Sequence, residues 1–375
     1  MTVVTWLGCD VVTGRIVEEL PDLEPSGSIG ALLGAYTSAA FKLPIPLGGH
    51  GAAPRNWVGA TEPGRSMVVA VLGGVPVWAG IVLVRQGGTD AGVDLATVSP
   101  EGYLDRRFVG DHVFAGVDEA LIAASLIDDA NIEGVNLVVD APETGTLRDR
   151  TYLDQDDKSV YSALRELMGV TDGPEWTIAL EWSDATQTAV TAIARVRSRI
   201  GYASATPAAV FTAGSPNAVF GSAGSSEARY TYSEDYSSGK GANHIVATSS
   251  GEGESRPQSA PARDEALFAA GWPRWETRFS PSSSITNVAT LDAHAQAALV
   301  LMSRGARTLT VTARADVYPL LGTDWAVGDD IGYDLQGHRH PSGLQGVARA
   351  IGWTLDPGTG VVSPILLTPG ETVIG

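Results

Sequence analysis

An uncharged run, SMVVAVLGGVPVWAGIVLV, lies between Arg65 and Arg85, and Met67 to Val84 are almost all apolar. Such a stretch just reaches the length of a membrane helix, about 18 residues. Its Gly and Pro, however, stand at hairpin positions. Gly73-Gly74 sits midway, where two residues able to take positive φ close a two-residue turn. Pro76 follows at a strand start, where a missing N–H does least harm. The flanking MVVAVL and VWAGIVLV are rich in β-branched residues. The pattern predicts a hairpin and no stable membrane insertion. The second strand continues to Val84, with Gly80 a bulge or close-contact point. Both faces are apolar and so are expected to be covered, as in a barrel or sandwich wall or at a subunit interface.

The same reading makes residues 1–108 mainly β. VTWLGCDVVTGRIVEEL predicts two strands joined at Thr13-Gly14. GSIGALLGAYTSAAFKLP reads as a loop or short helix with Ser28 as a cap, and Pro44, Pro46 and Gly48-Gly49 as a long loop. DAGVDLATVSPEGYLDRRFV reads as a strand pair ending near Arg106-Arg107. Residues 109–204 change period. GVDEALIAASLIDDAN predicts a helix with Val117, Leu121, Ser125 and Leu126 on one face. DDKSVYSALRELMGV predicts a helix capped by Asp157 or Ser159, with a stripe of Val160, Leu164, Leu167 and Met168. PEWTIALEWSDATQTAVTAIARV alternates as two strands joined through Ser183-Asp184. From 205 to 265 the chain is rich in Ala, Ser, Gly and Thr; ARYTYSEDY and NHIVATSS read as strands and the rest as mobile loops. A helix is expected at about 285–304, with Val288, Leu291, Ala295, Leu299 and Met302 on one face and Gly305 ending it. Strands follow, with Leu309, Val311, Ala313 and Ala315 alternating. The fold class is mainly β with an α+β insert, in three parts: 1–108, 109–204 and 205–375.

Composition narrows the function. A length of 375 residues exceeds one ordinary core, and 44 Gly, 21 Pro and nine Trp favour strands and turns. The net charge of −18, with scattered Lys and Arg, argues against a grip on nucleic-acid phosphates. It fits a solvated surface, or one that nucleic acid slides past without sticking. Cys9 is alone, which excludes an internal disulfide and a cysteine metal cluster. The start MTVVTWLGCDVVTG lacks a basic segment and reaches Asp10 early, unlike a secretory leader.

Candidate chemistry is sparse. His338 and His340 face one way on a predicted hairpin tip but lack a carboxylate at ligand spacing. DRTYLDQDDKS has no midpoint Gly or closing Glu for a calcium loop, and helix capping by Asp156 or Asp157 accounts for it. Glu175 and Glu181, beside Trp176 and Trp182, are spaced to share a strand face and would be the acid or nucleophile of a glycan hydrolase. Surface Trp residues would alternatively serve a carbohydrate-binding module. GEGESRP holds only the first Gly-x-Gly of a dinucleotide fingerprint. No catalytic, cofactor-binding or metal residue is assigned, no cofactor is expected, and a non-enzymatic structural protein is the favoured reading.

Several stretches, in order, resemble the baseplate hub or minor tail proteins of long-tailed bacteriophages, in particular those of actinobacteria. They are VPVWAGIVLVR and GYLDRRFV; SVYSALRELMGVTDGPEWTIAL with RVRSRIG; and ANHIVATSSGEGE, WPRWETRFSPSSSITNVATLDAHAQAAL and VGDDIGYDL with GVARAIGWTLDPGTGVVSPIL. Residues 205–240 match nothing in that pattern. The resemblance implies a homotrimer with two β-barrel domains per subunit plus smaller domains. Six barrels would then ring the end of a sixfold tail tube and present threefold symmetry to the tip. It implies as partners distal tail or tube ring proteins, the tape-measure protein and tip or receptor-binding proteins. DNA would pass through an acidic bore at genome ejection without specific binding. A distal tail ring protein, hexameric and usually shorter, is the neighbouring alternative.

Overall fold

The computed structural model describes residues 4–45, 56–170, 172–214, 228–250, 256–281 and 287–367. The loop expected at Pro46 and Gly48-Gly49, the Gly251-x-Gly253 pair, the start of the 285–304 helix and the loops of 215–227 lie outside them. Chain contacts form two units. One holds the described residues up to Arg229 and from Val311 onward; the other is Tyr230–Thr310.

In the first unit, β1 (Val4–Asp10), β2 (Ile16–Glu19) and β3 (Glu24–Pro25) are followed by β4 (Ile29–Leu32), β5 (Ser38–Pro44) and a short helix α1 (Trp57–Ala60). Next come β6 (Ser66–Leu72), β7 (Val75–Gly87) and β8 (Gly92–Val98). Seven of these strands form one sheet in the order β2-β1-β6-β7-β8-β5-β3. β1 and β5 stand four places apart, which in a flat sheet is about 19 Å. The rings of Trp6 on β1 and Phe41 on β5 nevertheless meet at 5.1 Å, with Trp78 of β7 against Phe41 at 5.9 Å. The sheet is therefore rolled into a barrel-like wall around these aromatics. Its ladder is open between β2 and β3 among the described residues.

The uncharged segment is the β6–β7 hairpin. Gly73 and Gly74 adopt φ of 57° and 86°, the turn that the pair was expected to make. Gly80 is the close-contact point, where an added Cβ would meet the Trp78 ring and the Thr97 side chain. Every residue of β6 is buried. The second covering layer comes from this chain: Met67, Val69, Val71, Ala79 and Ile81 share a core with the helices of the following segment. β7 extends beyond Val84 to Gly87, and its cover ends before Leu83 and Val84, each 49% exposed.

That covering segment contains β9 (His112–Asp118), α2 (Glu119–Asn131), β10 (Val138–Asp140), β11 (Leu147–Tyr152), α3 (Val160–Met168), β12 (Glu175–Trp182) and β13 (Val190–Arg197). β10-β13-β12 form a three-stranded sheet and β9-β11 a ribbon. Ser159 caps α3, its Oγ accepting from the Ser162 N–H, and Val160, Leu164, Leu167 and Met168 are all buried. Asp156 and Asp157 do not cap it; Asp157 takes φ 49° at the end of a preceding 3-10 turn. The expected α2 face is rotated. Ala120, Ile122, Ala123, Leu126, Ile127 and Ala130 are buried, while Leu121 is exposed. Ile122, Leu126 and Ile127 set the buried face together with the alanines, and Leu121 falls on its rim.

Two other expectations fail near the start. The stretch from Gly27 to Pro44 is no helix: it supplies β4 and β5. Pro100–Arg106 forms a 3-10 turn in place of the second strand of a pair.

The remaining elements are β14 (Val210–Ala213), β15 (Arg229–Asp235), β16 (His244–Ala247), β17 (Ala262–Arg263), α4 (Glu265–Ala269), β18 (Glu276–Phe279), α5 (Val288–Met302), β19 (Ala306–Arg314), β20 (Asp330–Leu335), β21 (Leu344–Asp356) and β22 (Val361–Leu367). In the first unit β14-β20-β21-β22 and the end of β19 make a second sheet. β4 adds to its β21, with Leu32 opposite Gly352 and Ile29 opposite Leu355. In the second unit α5 packs Leu291, Ala295 and Leu299 onto Ile245 and Ala247 of the small β17-β16-β18 sheet. Val288 is 49% exposed and leaves the expected α5 stripe. Leu309, Val311, Ala313 and Ala315 are all buried, as their alternation predicted.

Candidate assembly interface

On the outer wall of the first sheet, pairing places Ala40, Ala96 and Val84 in one cross-strand row. Together with Tyr36, Leu83 and Tyr103 these residues line a groove of about 620 Å³. The 3-10 turn positions Tyr103 and Asp105, and Ser159 Oγ donates to Asp105 at 2.9 Å. An apolar concavity of this size, built from β5, β7, β8 and the 3-10 turn, has the character of a protein-docking surface.

A second crevice, also about 620 Å³, lies inside the same unit, lined by Val75, Pro76, Leu321, Trp353 and the arginines of β13 and its extension. The sequence RVRSR puts Arg195, Arg197 and Arg199 two residues apart, hence on one face of an extended strand. Arg195 pairs with Glu181. Arg197 Nη2 lies 2.6 Å from Asp140, and Arg199 Nη2 lies 2.6 Å from Asp330. Beside them Glu175 accepts from Arg349 through both carboxylate oxygens, and from the Ile200 N–H at 2.7 Å. Arg349 also donates to the Ile200 carbonyl at 2.8 Å. Glu175 and Glu181 are thus each engaged by a guanidinium, one clamping β12 to β21 and the other β12 to β13. Both are ion-pair partners: Glu175 is largely buried, and Glu181, half exposed in the second crevice, is held by Arg195.

His338 and His340 do occupy the β20–β21 tip, between Leu335 and Leu344. No group of three metal-ligating side chains occurs among the described residues. Cys9 is fully buried on β1, and burial pushes its thiol up to about 12, leaving it an inert apolar side chain.

Glu101 and the arginine ladder were not singled out from sequence. Glu101 lies in the 3-10 turn, buried, accepting from the Ile178 N–H at 3.3 Å. Desolvation holds its carboxyl above the ordinary carboxylate range. A raised acid favours the folded state when protonated, so its contribution falls as pH rises from about 4.5 through the folded-state value. Glu101→Gln keeps the acceptor and removes the charge. It is expected to stabilise the chain by on the order of 1 kcal/mol at neutral pH, with no gain below about pH 4. Denaturant titrations of both proteins across pH check this; a gain that grows on acidification would contradict it.

No protein-family model matches the chain, and no curated protein matches it. Solved structures do. The tail protein from Neisseria meningitidis MC58 superposes with a TM-score of 0.54 at 15% identity, covering 98% of this chain and 96% of its own. The 43 kDa tail protein of prophage MuSo2 from Shewanella oneidensis gives 0.52 at 12% identity, covering 92% and 98%. A chain of the Francisella PdpA–VgrG complex gives 0.52 at 7% identity, covering 99% of this chain and 54% of that one. From end to end, this chain shares the fold of phage-type tail proteins.

Proposed function

We propose that the chain is a structural, non-enzymatic virion protein of a bacteriophage tail, acting as a trimeric baseplate hub at the distal tip. The end-to-end likeness to two tail proteins of similar length carries this reading, since it covers both of the large sheets together. The likeness to a chain of a VgrG-containing complex supports association with other tail-type components. In this reading residues 1–108 dock on the sixfold tube, 109–204 are the inserted domain, and 205–375 hold the second barrel and its companion. The apolar groove of the first sheet is where a neighbouring copy or ring protein seats. The tape-measure protein and the tip or receptor-binding proteins complete the assembly. The net charge of −18 per copy keeps DNA off the walls of the bore during ejection. The actinobacteriophage host type rests on the ordered sequence motifs alone.

The glycan-hydrolase alternative loses its support because Glu175 and Glu181 are both engaged by arginines. Light-scattering mass on the purified chain tests the hub reading. The expected mass is three times that of the 39.0 kDa chain. A monomer that also fails to enter purified particles would overturn it. Leu83→Asp, placing a charge in the exposed groove, is expected to weaken self-association or particle incorporation at least tenfold while leaving the fold intact.

A further inference from the structure

The second unit carries an exposed aromatic cluster on which the hub reading does not draw. Trp272 and Trp275, in the segment WPRW, are 39% and 50% exposed. Both pack on Tyr236, with ring centroids at 5.5 and 5.9 Å and interplanar angles of 56° and 68°. Exposing two indoles is unfavourable unless something holds them out, and here something does. Asn243, fully buried, donates through Nδ2 to the Pro273 carbonyl at 2.9 Å and accepts through Oδ1 from the Trp275 N–H at 2.8 Å. Its backbone N–H donates to the Trp275 carbonyl at 3.0 Å. Tyr236 is fixed in turn, its hydroxyl donating to the Ser303 carbonyl at 3.2 Å, its ring lying against Gly241 where a Cβ would collide. The three rings form a rigid, angled platform on a clamped backbone, the preorganisation of a binding site.

The chemistry beside the rings selects the ligand class. Arg274 is engaged by Glu276, which also lies 3.6 Å from His244. Neither indole N–H has a hydrogen-bond partner among the described residues. Tyr230–Thr310 has seven Lys and Arg against eight Asp and Glu, a net charge of −1 in a chain of −18. With Arg274 engaged, the site lacks the cation cluster that phosphate polymers and nucleic acid need. A neutral pyranose fits: its C–H face stacks on an indole, and its hydroxyls both donate and accept.

We propose that Tyr236, Trp272 and Trp275 bind a neutral saccharide of the bacterial cell surface. This goes beyond the hub reading and is tested on the isolated chain, so either stands without the other. The probe is an array of neutral bacterial oligosaccharides, among them N-acetylglucosamine–N-acetylmuramic acid oligomers, galactans, arabinans, rhamnans and mannans. Any positive is then titrated by tryptophan fluorescence. The full-length chain is expected to bind at least one class. Trp272→Ala and Trp275→Ala should each weaken binding at least tenfold, and Trp275→Phe should keep part of it. Circular dichroism and melting curves unchanged from the parent would show that the variants fold. No signal on any saccharide, equal signals from parent and alanine variants, or loss only of binding to a co-purified tail protein would each overturn the proposal.

Discussion

Arg349→Ala is expected to destabilise the first unit by about 3–5 kcal/mol, the usual cost of stranding one partner of a buried ion pair. Arg349 and Glu175 are both 13% exposed, and the pair joins β12 to β21. Removing the guanidinium strands the Glu175 carboxylate with one backbone donor, the Ile200 N–H, and frees the Ile200 carbonyl that Arg349 also held. Arg349→Lys keeps the charge but not the two-pronged geometry, and should recover less than half the loss. The double replacement Glu175→Leu with Arg349→Met removes both charges at once. It is expected to be far milder than Arg349→Ala. Denaturant midpoints of the four proteins check the ordering; a single-variant loss under about 1 kcal/mol would show that the clamp contributes little.

Trp176→Ala is expected to cost about 3–5 kcal/mol, in the range for emptying a buried indole site. Trp176 is 1% exposed and lies in the core that joins the first sheet to α2 and α3. It meets the Tyr161 ring edge-on at 6.0 Å. Its indole N–H is buried with no hydrogen-bond partner among the described residues, which already costs stability. Trp176→Phe therefore loses volume but sheds that unsatisfied donor, and should cost under about 1.5 kcal/mol. Thermal melts read the contrast. Equal losses for both variants would mean that cavity volume plays no part at this site.

The parts of the fold legible in the sequence are those whose partners are close along the chain. The Gly73-Gly74 hairpin, α3 with its Ser159 cap, and the β12–β13 pair were all readable from local pattern. β4 was not, because its partner is β21, more than 300 residues later, and Ile29–Leu32 has no local signal beyond small apolar residues. Long-range pairing overrode local propensity there. The pattern likewise leaves the second cover of the hairpin open between a barrel or sandwich wall and a subunit interface. It comes from Leu126, Leu164 and Trp176 of the same chain, residues whose helical and strand periods were legible but whose packing target was not. RVRSR carries its arginines at every second position, but spacing alone does not mark them as a ladder. Its acceptors, Asp140, Glu181 and Asp330, lie on separate segments, so only the folded chain brings them together.

The most direct measurement is an electron-microscopic reconstruction of the particle tip with this chain located in it. The account predicts three copies around an open bore at the distal end of the tube, their rolled sheets making a ring that the tube's last subunits contact. Finding the chain absent from the particle, or present at the tip in other than threefold arrangement, would contradict it.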